Sequence, residues 1–233
     1  MSDPGHEHSS PMTNPDDQPA RASWRTSSEV PVLAADLAAL VRLSAQIAAG
    51  TEPDIRAACH EVLAADVPTP WVEECILQSY LMAGFPRALN AMREWRKVSG
   101  IPAPAPEVIP EPSLWRWRTQ GEQTCEVVYG KFYTKLRENI THLHPALDEW
   151  MIIEGYGKIL SRQGMDLQLR ELCIVAACTA MGQDRQLHSH LHGSLNAGSS
   201  PGELAGVIGA LDGIVPPSHL LRARLLLARV VGK

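Results

Sequence analysis

The chain has 233 residues, of which 45% are hydrophobic and 20% charged, enough for one large domain or two small ones with a proper core. A formal net charge of −5 and a pI near 6.0 leave no basic footprint for nucleic acid or an anionic membrane surface. No apolar run approaches the roughly 18 residues that span a bilayer, so neither nucleic acid nor membrane is an expected partner.

In chain order, residues 1–29 come first, opening MSDPGHEHSSPMTNPDDQPARASW. They lack the apolar stretch of a signal peptide. Rich in Pro, Ser, Asp and His, they read as a disordered tail in which His6 and His8 have no scaffold to fix a site. From residue 30 onward Ala and Leu recur at helical spacing, while alternating β-branched runs hardly occur, so the expected fold class is all-α. A first helical module covers 30–100. Its punctuation is helical: Gly50 and Gly100 each follow an apolar-periodic run, where a C-cap wants positive φ, and Thr69-Pro70 looks like a helix start. IPAPAPEVIPEP, residues 101–112, is a Pro-rich linker whose prolines forbid a helix. The second module, 113–233, adds Pro145 and Ser200-Pro201 as starts, a capping box from Ser200 to Glu203, and Gly182 and Gly198 as caps. Trp115, Trp117 and Trp150 read as anchors of its leading helices on the core. For Tyr156, a ring in the core with its hydroxyl at a pocket edge is one placement that the sequence leaves undecided.

The two modules look duplicated. After Gly50 and again after Gly182, a helix leads to a Pro-initiated helix (Pro70, Pro201), and about sixteen residues later comes another proline (Pro86, Pro217).

The five cysteines form no CxxC pair and no Cys/His zinc spacing. Cys59, Cys75, Cys173 and Cys178 sit among apolar neighbours, as buried reduced thiols do, and a cytoplasmic location follows as the default. Cys173 and Cys178 would point about 140° apart on a helix, a poor disulfide pair.

The segment RQLHSHLHGSLNAG, 185–198, holds three alternating histidines. Leu187, Leu191 and Leu195 recur every fourth residue and argue for a helix. On a helix His188 and His192 share one face and His190 points nearly the opposite way, so the three cannot converge on a metal. No HExxH pattern is present, since Ser189 stands where the Glu would be, and no metal site is assigned.

The second module resembles the carboxymuconolactone decarboxylase family, which includes the alkyl-hydroperoxidase D group. The resemblance lies in LSRQGMDLQLRELCIVAACTAMG (160–182) and QLHSHLHGSLNAGSSPGEL (186–204), with GEQTCEVVYGKFY (121–133) and WMIIEGYGKILSR (150–162) similar to the decarboxylase branch's leading helices. In the first module, EECILQSYLMAGFPRALNAMREWRKV (73–98) resembles the same unit's closing helices. The resemblance implies an alkyl-hydroperoxidase D-like helical bundle that assembles into homo-trimers or hexamers, working on a small-molecule substrate without a cofactor. It matches Glu171 to the family's proton-relay glutamate and His190 to its relay histidine, with Arg162 and Gln186 as substrate-binding candidates. Two departures matter. Gln183 and Gln186 stand where the peroxidase branch has its CxxC pair, and the first module has Leu40 or Ala39 opposite Glu171 and Ala58 or Cys59 opposite His190.

Without those thiols, peroxide reduction lacks its nucleophile and resolving partner. A Glu–His pair in an apolar setting suits cofactor-free proton transfer, which makes a decarboxylase-type lyase acting on a small carboxylated ring or lactone the leading expectation. A peroxidase with peroxiredoxin activity through Cys173 or Cys178, and a non-enzymatic ligand-binding helical oligomer, are the alternatives.

Overall fold

The computed structural model describes residues 32–106 and 113–232, and every regular element in them is helical. The tail expected over 1–29 lies outside the described residues, as do 107–112 of the linker; residues 101–106 are non-helical, as their prolines require. The first block carries α1 (Ala35–Ala49), α2 (Glu52–Ala64), α3 (Thr69–Gln78), a single turn α4 (Tyr80–Ala83) and α5 (Phe85–Ser99). The second opens with α6 (Ser113–Tyr129), a 3₁₀ turn (Gly130–Phe132), α7 (Tyr133–Leu143) and α8 (Pro145–Trp150). Helix α8 runs on into a π-helical stretch, Met151–Leu160. Then come α9 (Leu167–Met181), α10 (Asp184–Asn196), α11 (Pro201–Ala210) and α12 (Pro217–Val231).

The duplication is register-perfect. Helices α1, α2, α3 and α5 have 15, 13, 10 and 15 residues, and α9 to α12 repeat those lengths. Each member of the second set starts 132 residues after its counterpart: Leu167 after Ala35, Asp184 after Glu52, Pro201 after Thr69, Pro217 after Phe85. Equivalent positions also do equivalent work. Arg87 donates to the last carbonyls of α1, at Ile47 and Gln46, and to Gly50. His219, its counterpart, bonds the Ala180 carbonyl near the end of α9 through Nδ1. A cationic or donor side chain at a helix C-terminus satisfies carbonyls that lack an intrahelical partner.

Gly100 and Gly182 cap α5 and α9 in the left-handed region, with φ of 68° and 66°, and Gly198 follows α10 at φ 106°. Gly50 differs: its backbone is extended. What requires glycine there is space, because a methyl group would run into the Gln46 side chain and carbonyl. Ser200 caps α11 and Glu203 closes the capping box back onto the Ser200 amide.

The repeats pack on each other chiefly through α1 against α9, and one apolar core draws residues from both blocks. Every residue of α9 from Arg170 to Ala180 is buried. The leading helices are fastened separately. Helix α6 crosses the π-helical stretch backbone to backbone: a methyl at Gly121 would strike the Ile152 carbonyl, and one at Gly157 the Trp117 carbonyl. Close approach of this kind is open only to glycine. The tryptophans do not anchor this layer as the sequence suggests. Trp115 and Trp150 are 68% and 61% exposed, and Trp117 is half-buried with the Lys158 ammonium 5.3 Å from its ring centroid; the glycine crossing fixes the helices instead.

Arg170 ties the repeats together. It is fully buried; its Nη2 donates to Glu74 Oε2 at 2.8 Å and to the Arg162 carbonyl at 3.0 Å, and its Nε to the Met165 carbonyl at 3.1 Å. Gln78 Nε2 donates back to the Arg170 carbonyl. Removing one partner of a buried ion pair strands the other charge. Glu74→Ala is therefore expected to cost about 3–5 kcal/mol, measured by urea denaturation; a loss under about 1 kcal/mol would show that the carbonyls alone satisfy Arg170.

Candidate active site

Glu171 follows Arg170 on α9 and points away from it, toward α10. Its side chain is wholly buried, and Oε2 lies 2.8 Å from His190 Nδ1. His190 is 7% exposed. The helix predicted over the three histidines is α10, and it separates them as its periodicity requires: His188 and His192 meet on the outer face with ring centroids 5.0 Å apart, and His190 faces α9. Among the described residues no group of three or more His, Cys, Asp or Glu side chains is placed to hold a metal ion.

The carboxylate fits against α10 because residue 193, one turn past His190, is glycine. A Cβ there would come within 2.8 Å of Glu171 Oε2 and 2.7 Å of Val128 Cγ1. The second carboxylate oxygen, Oε1, is buried and has no hydrogen-bond partner. Glu171 thus spends its directed acceptor capacity on the imidazole. With Nδ1 held by the carboxylate, Nε2 is the ring nitrogen left for chemistry.

His190 lies in the wall of a cavity of about 470 Å³, within the usual range for a small-molecule site. Most of the wall is apolar, with Ile140, Leu147, Trp150, Met151 and Ile174 among its residues. Its polar groups are few: Tyr129, Tyr156, Glu154, Arg185, Gln186 and Ser189. The π-helical stretch contributes Met151, Glu154 and Tyr156. Tyr156, left undecided by the sequence, is 5% exposed and lies at the cavity wall, its ring edge-on to Tyr129 with centroids 6.2 Å apart. Burial pushes the Tyr129 phenol up to about 12 and Tyr156 well above its ordinary value, so both stay protonated at neutral pH and can donate hydrogen bonds. Glu154 accepts from the Tyr80 hydroxyl at 3.2 Å and pairs with Lys158 at 3.3 Å.

Of the four side chains singled out from sequence, three converge here: Glu171, His190 and Gln186. Arg162 does not. It lines a different cavity with Gln120, Gln123 and Asp166 and forks onto Glu74 at 3.1 Å, because its chain position places it beside the Arg170 network. Arg185, passed over in the sequence, is the cation that lines the His190 cavity; its place one residue before Gln186 is the only signal that could have found it. Gly193 was also missed, although a glycine three residues after a buried His on a helix is a sign of close packing.

The cysteines are free and buried. Desolvation, followed by the negative field of Glu171, pushes the Cys178 thiol up to about 12, and burial takes Cys125 to about 12. Cys173 is raised well above its ordinary value by a hydrogen bond with Cys75 and by burial. In the first repeat the 132-residue register puts Ala39 opposite Glu171 and Ala58 opposite His190. That repeat has no equivalent pair.

Residues 145–213 match the model of the carboxymuconolactone decarboxylase family. The match runs from the start of α8 to just past α11 and encloses the π-helical stretch, Glu171 and His190. The chain is also similar to Peroxisomal protein 2 of Schizosaccharomyces pombe, with 29% identity over 134 residues, which are 56% of this chain and 62% of that protein. The chain thus spans about three fifths of that relative's length.

The fit around Gly193 gives a direct test. Alanine would gain about 1 kcal/mol in helix propensity, but overpacking against Glu171 and Val128 costs about 1–3 kcal/mol. Gly193→Ala is therefore expected to lower stability in a denaturant titration; a rise in stability would mean that the carboxylate moves aside freely.

Proposed function

Starting from a second block that carries a carboxymuconolactone decarboxylase-family module, we propose that the protein is a cofactor-free proton-transfer enzyme acting on a small carboxylated ring or lactone. One observation carries this reading: the buried 2.8 Å Glu171–His190 hydrogen bond at the wall of a mostly apolar cavity. The carboxylate accepts from Nδ1, fixes the imidazole tautomer and leaves Nε2 as the ring nitrogen able to exchange a proton with a substrate. An imidazole held in this way can deliver a proton from Nε2 to a substrate carbon.

For a decarboxylation the steps balance without an added group. Arg185 and Gln186 hold the substrate carboxylates at the cavity mouth. As the carbon–carboxylate bond breaks and carbon dioxide leaves, its electron pair moves into the conjugated unsaturation of the ring. His190 Nε2 delivers the proton to the distal carbon and is reprotonated from solvent. The apolar wall favours the transition state, in which charge is spread over more atoms than in the ground state. Tyr129 and Tyr156, held protonated, are donors for a developing enolate oxygen. Isomerisation of a related ring compound would use the same groups.

Thiol-based peroxide chemistry finds no comparable support, because a nucleophilic cysteine needs a lowered pKa and access. All five cysteines are buried; burial raises Cys59, Cys125 and Cys178, and the hydrogen bond with Cys75 together with burial raises Cys173. The five free thiols suit a reducing compartment such as the cytoplasm. Among the described residues no helix is long and apolar enough to cross a membrane. Homo-oligomerisation belongs to the same reading, and the large side chains of Trp115, Leu143 and Trp150, each more than half exposed, are the ones an interface would cover.

Loss of γ-carboxymuconolactone, followed with purified protein, tests the proposal. His190→Gln is expected to lower kcat by about a hundredfold or more, the range for a general acid. Glu171→Gln keeps an oxygen for Nδ1 but removes the charge that stabilises the imidazolium, and should cost about tenfold. Equal turnover by wild type and His190→Gln would remove His190 from the chemistry. In the same preparation the native cysteines should resist a water-soluble thiol reagent at pH 8 and react on unfolding; rapid labelling of the folded protein would reopen the peroxide reading.

A further inference from the structure

A second concavity adjoins the His190 cavity. It is a groove of about 880 Å³ between the end of α6, the 3₁₀ turn, α7 and the outer face of α10. Tyr129, Leu136 and Ser189 belong to both walls, so the two spaces meet at these residues. Their chemistry differs. The His190 cavity is mostly apolar, whereas the groove presents Lys131, Lys135, His188 and His192, with Asn139 and Asn196, and no carboxylate lines it. In a chain of net charge −5, a groove lined by two lysines and two histidines without an acid is a local reversal of sign. Cationic lining in a concavity concentrates anions there.

A single-ring lactone needs only the first space. The joined walls, the change from apolar to cationic, and the groove's larger volume all suit a longer molecule. Resting on the proton-transfer reading above, we infer that the substrate extends past Ser189 and Leu136 into the groove and carries an anionic group, a phosphate or a carboxylate, on that extension, held by Lys131 and Lys135. The reactive end sits at His190, the apolar body lies against Leu136 and Ile140, and the charged end stays in the solvent-facing groove. Both lysines are exposed, so an anion gains their charge without a large desolvation penalty, at the modest strength of solvent-screened pairs.

Calorimetric titration of the full-length protein with octyl phosphate, octanoate and octanol separates the parts. The three probes share an apolar body and differ in the head. At least one anion is expected to bind about tenfold tighter than octanol, and the tighter of the two identifies the headgroup chemistry. Replacing both lysines (Lys131→Gln with Lys135→Gln) should bring that anion to within about threefold of octanol and leave octanol unchanged; both residues are exposed, so the fold is not at risk. Raising NaCl from about 50 to about 500 mM should weaken the anion alone. The inference is overturned if octanol matches both anions, if no probe binds, or if Arg185→Gln rather than the lysine pair abolishes the preference, which would put the head at the cavity mouth. Repeating the titration with His190→Gln separates this inference from the proton-transfer proposal. An anion preference kept there upholds the groove even if turnover fails, and turnover by wild type without any preference upholds the chemistry alone.

Discussion

Two adjacent charges on a helix that is buried all round set the constraints for everything near them. Arg170 and Glu171 are both fully buried on α9, and a charge moved out of water is tolerable only when it is paired and hydrogen-bonded. Neighbouring residues on a helix point about 100° apart, so one partner cannot answer both. Arg170 is answered across the repeat boundary by Glu74, Gln78 and nearby carbonyls. Glu171 is answered from within its own repeat by His190. One pairing holds the two halves of the fold in register and the other fixes an imidazole at the wall of a cavity. They are linked, because a shift of α9 that eased one would strain the other.

The duplication shows where the buried Glu–His pair could have been repeated and was not. Both repeats have the same four helices with the same spacing, yet the first has alanines at both positions of the pair, Ala39 and Ala58. Ala39 and Ala58 are buried and need no partner. The first repeat therefore supplies packing and the Glu74 carboxylate, while the second holds the Glu171–His190 pair. The groups that shape the cavity beyond the pair come largely from α6 to the π-helical stretch, which have no counterpart among the described residues of the first block. A π-helical stretch is rarely the lowest-energy backbone and is commonly found at functional sites. Here it brings Tyr156 and Glu154 to the wall, and the glycine crossing with α6 holds it there.

Much of this was legible in the sequence because it follows from local rules. Helix starts at Thr69-Pro70, Pro145 and Ser200-Pro201 obey capping preferences that act within one turn. The separation of His190 from His188 and His192 follows from helical periodicity alone. What could not be read depends on distance between segments far apart in the chain. Nothing local to Arg162 says that Glu74 lies 88 residues away and claims it. Trp115 and Trp150 looked like anchors because large aromatics are usually buried, but burial is decided by what covers them, and the crossing at Gly121 and Gly157 left them outside. The lengthened turn of Met151–Leu160 has no clear sequence signature, since its residues would serve an α-helix equally well. Gly50 shows the same limit on a smaller scale: its identity was legible, its reason was not.

The interlocked repeats bear on how the chain behaves when its covalent continuity is lost. Helix α1, in the first block, packs along α9 in the second, and Glu74 reaches across to Arg170. Neither half buries its own share of the core alone, so each fragment would expose a long apolar face on separation. A backbone cleaved between residues 106 and 113 would therefore leave two pieces with strong mutual affinity that reassemble into one body. By the same logic the two halves form a split pair, and supplying them as separate polypeptides would make the Arg170–Glu74 pairing, and the packing of α9 that depends on it, conditional on their meeting.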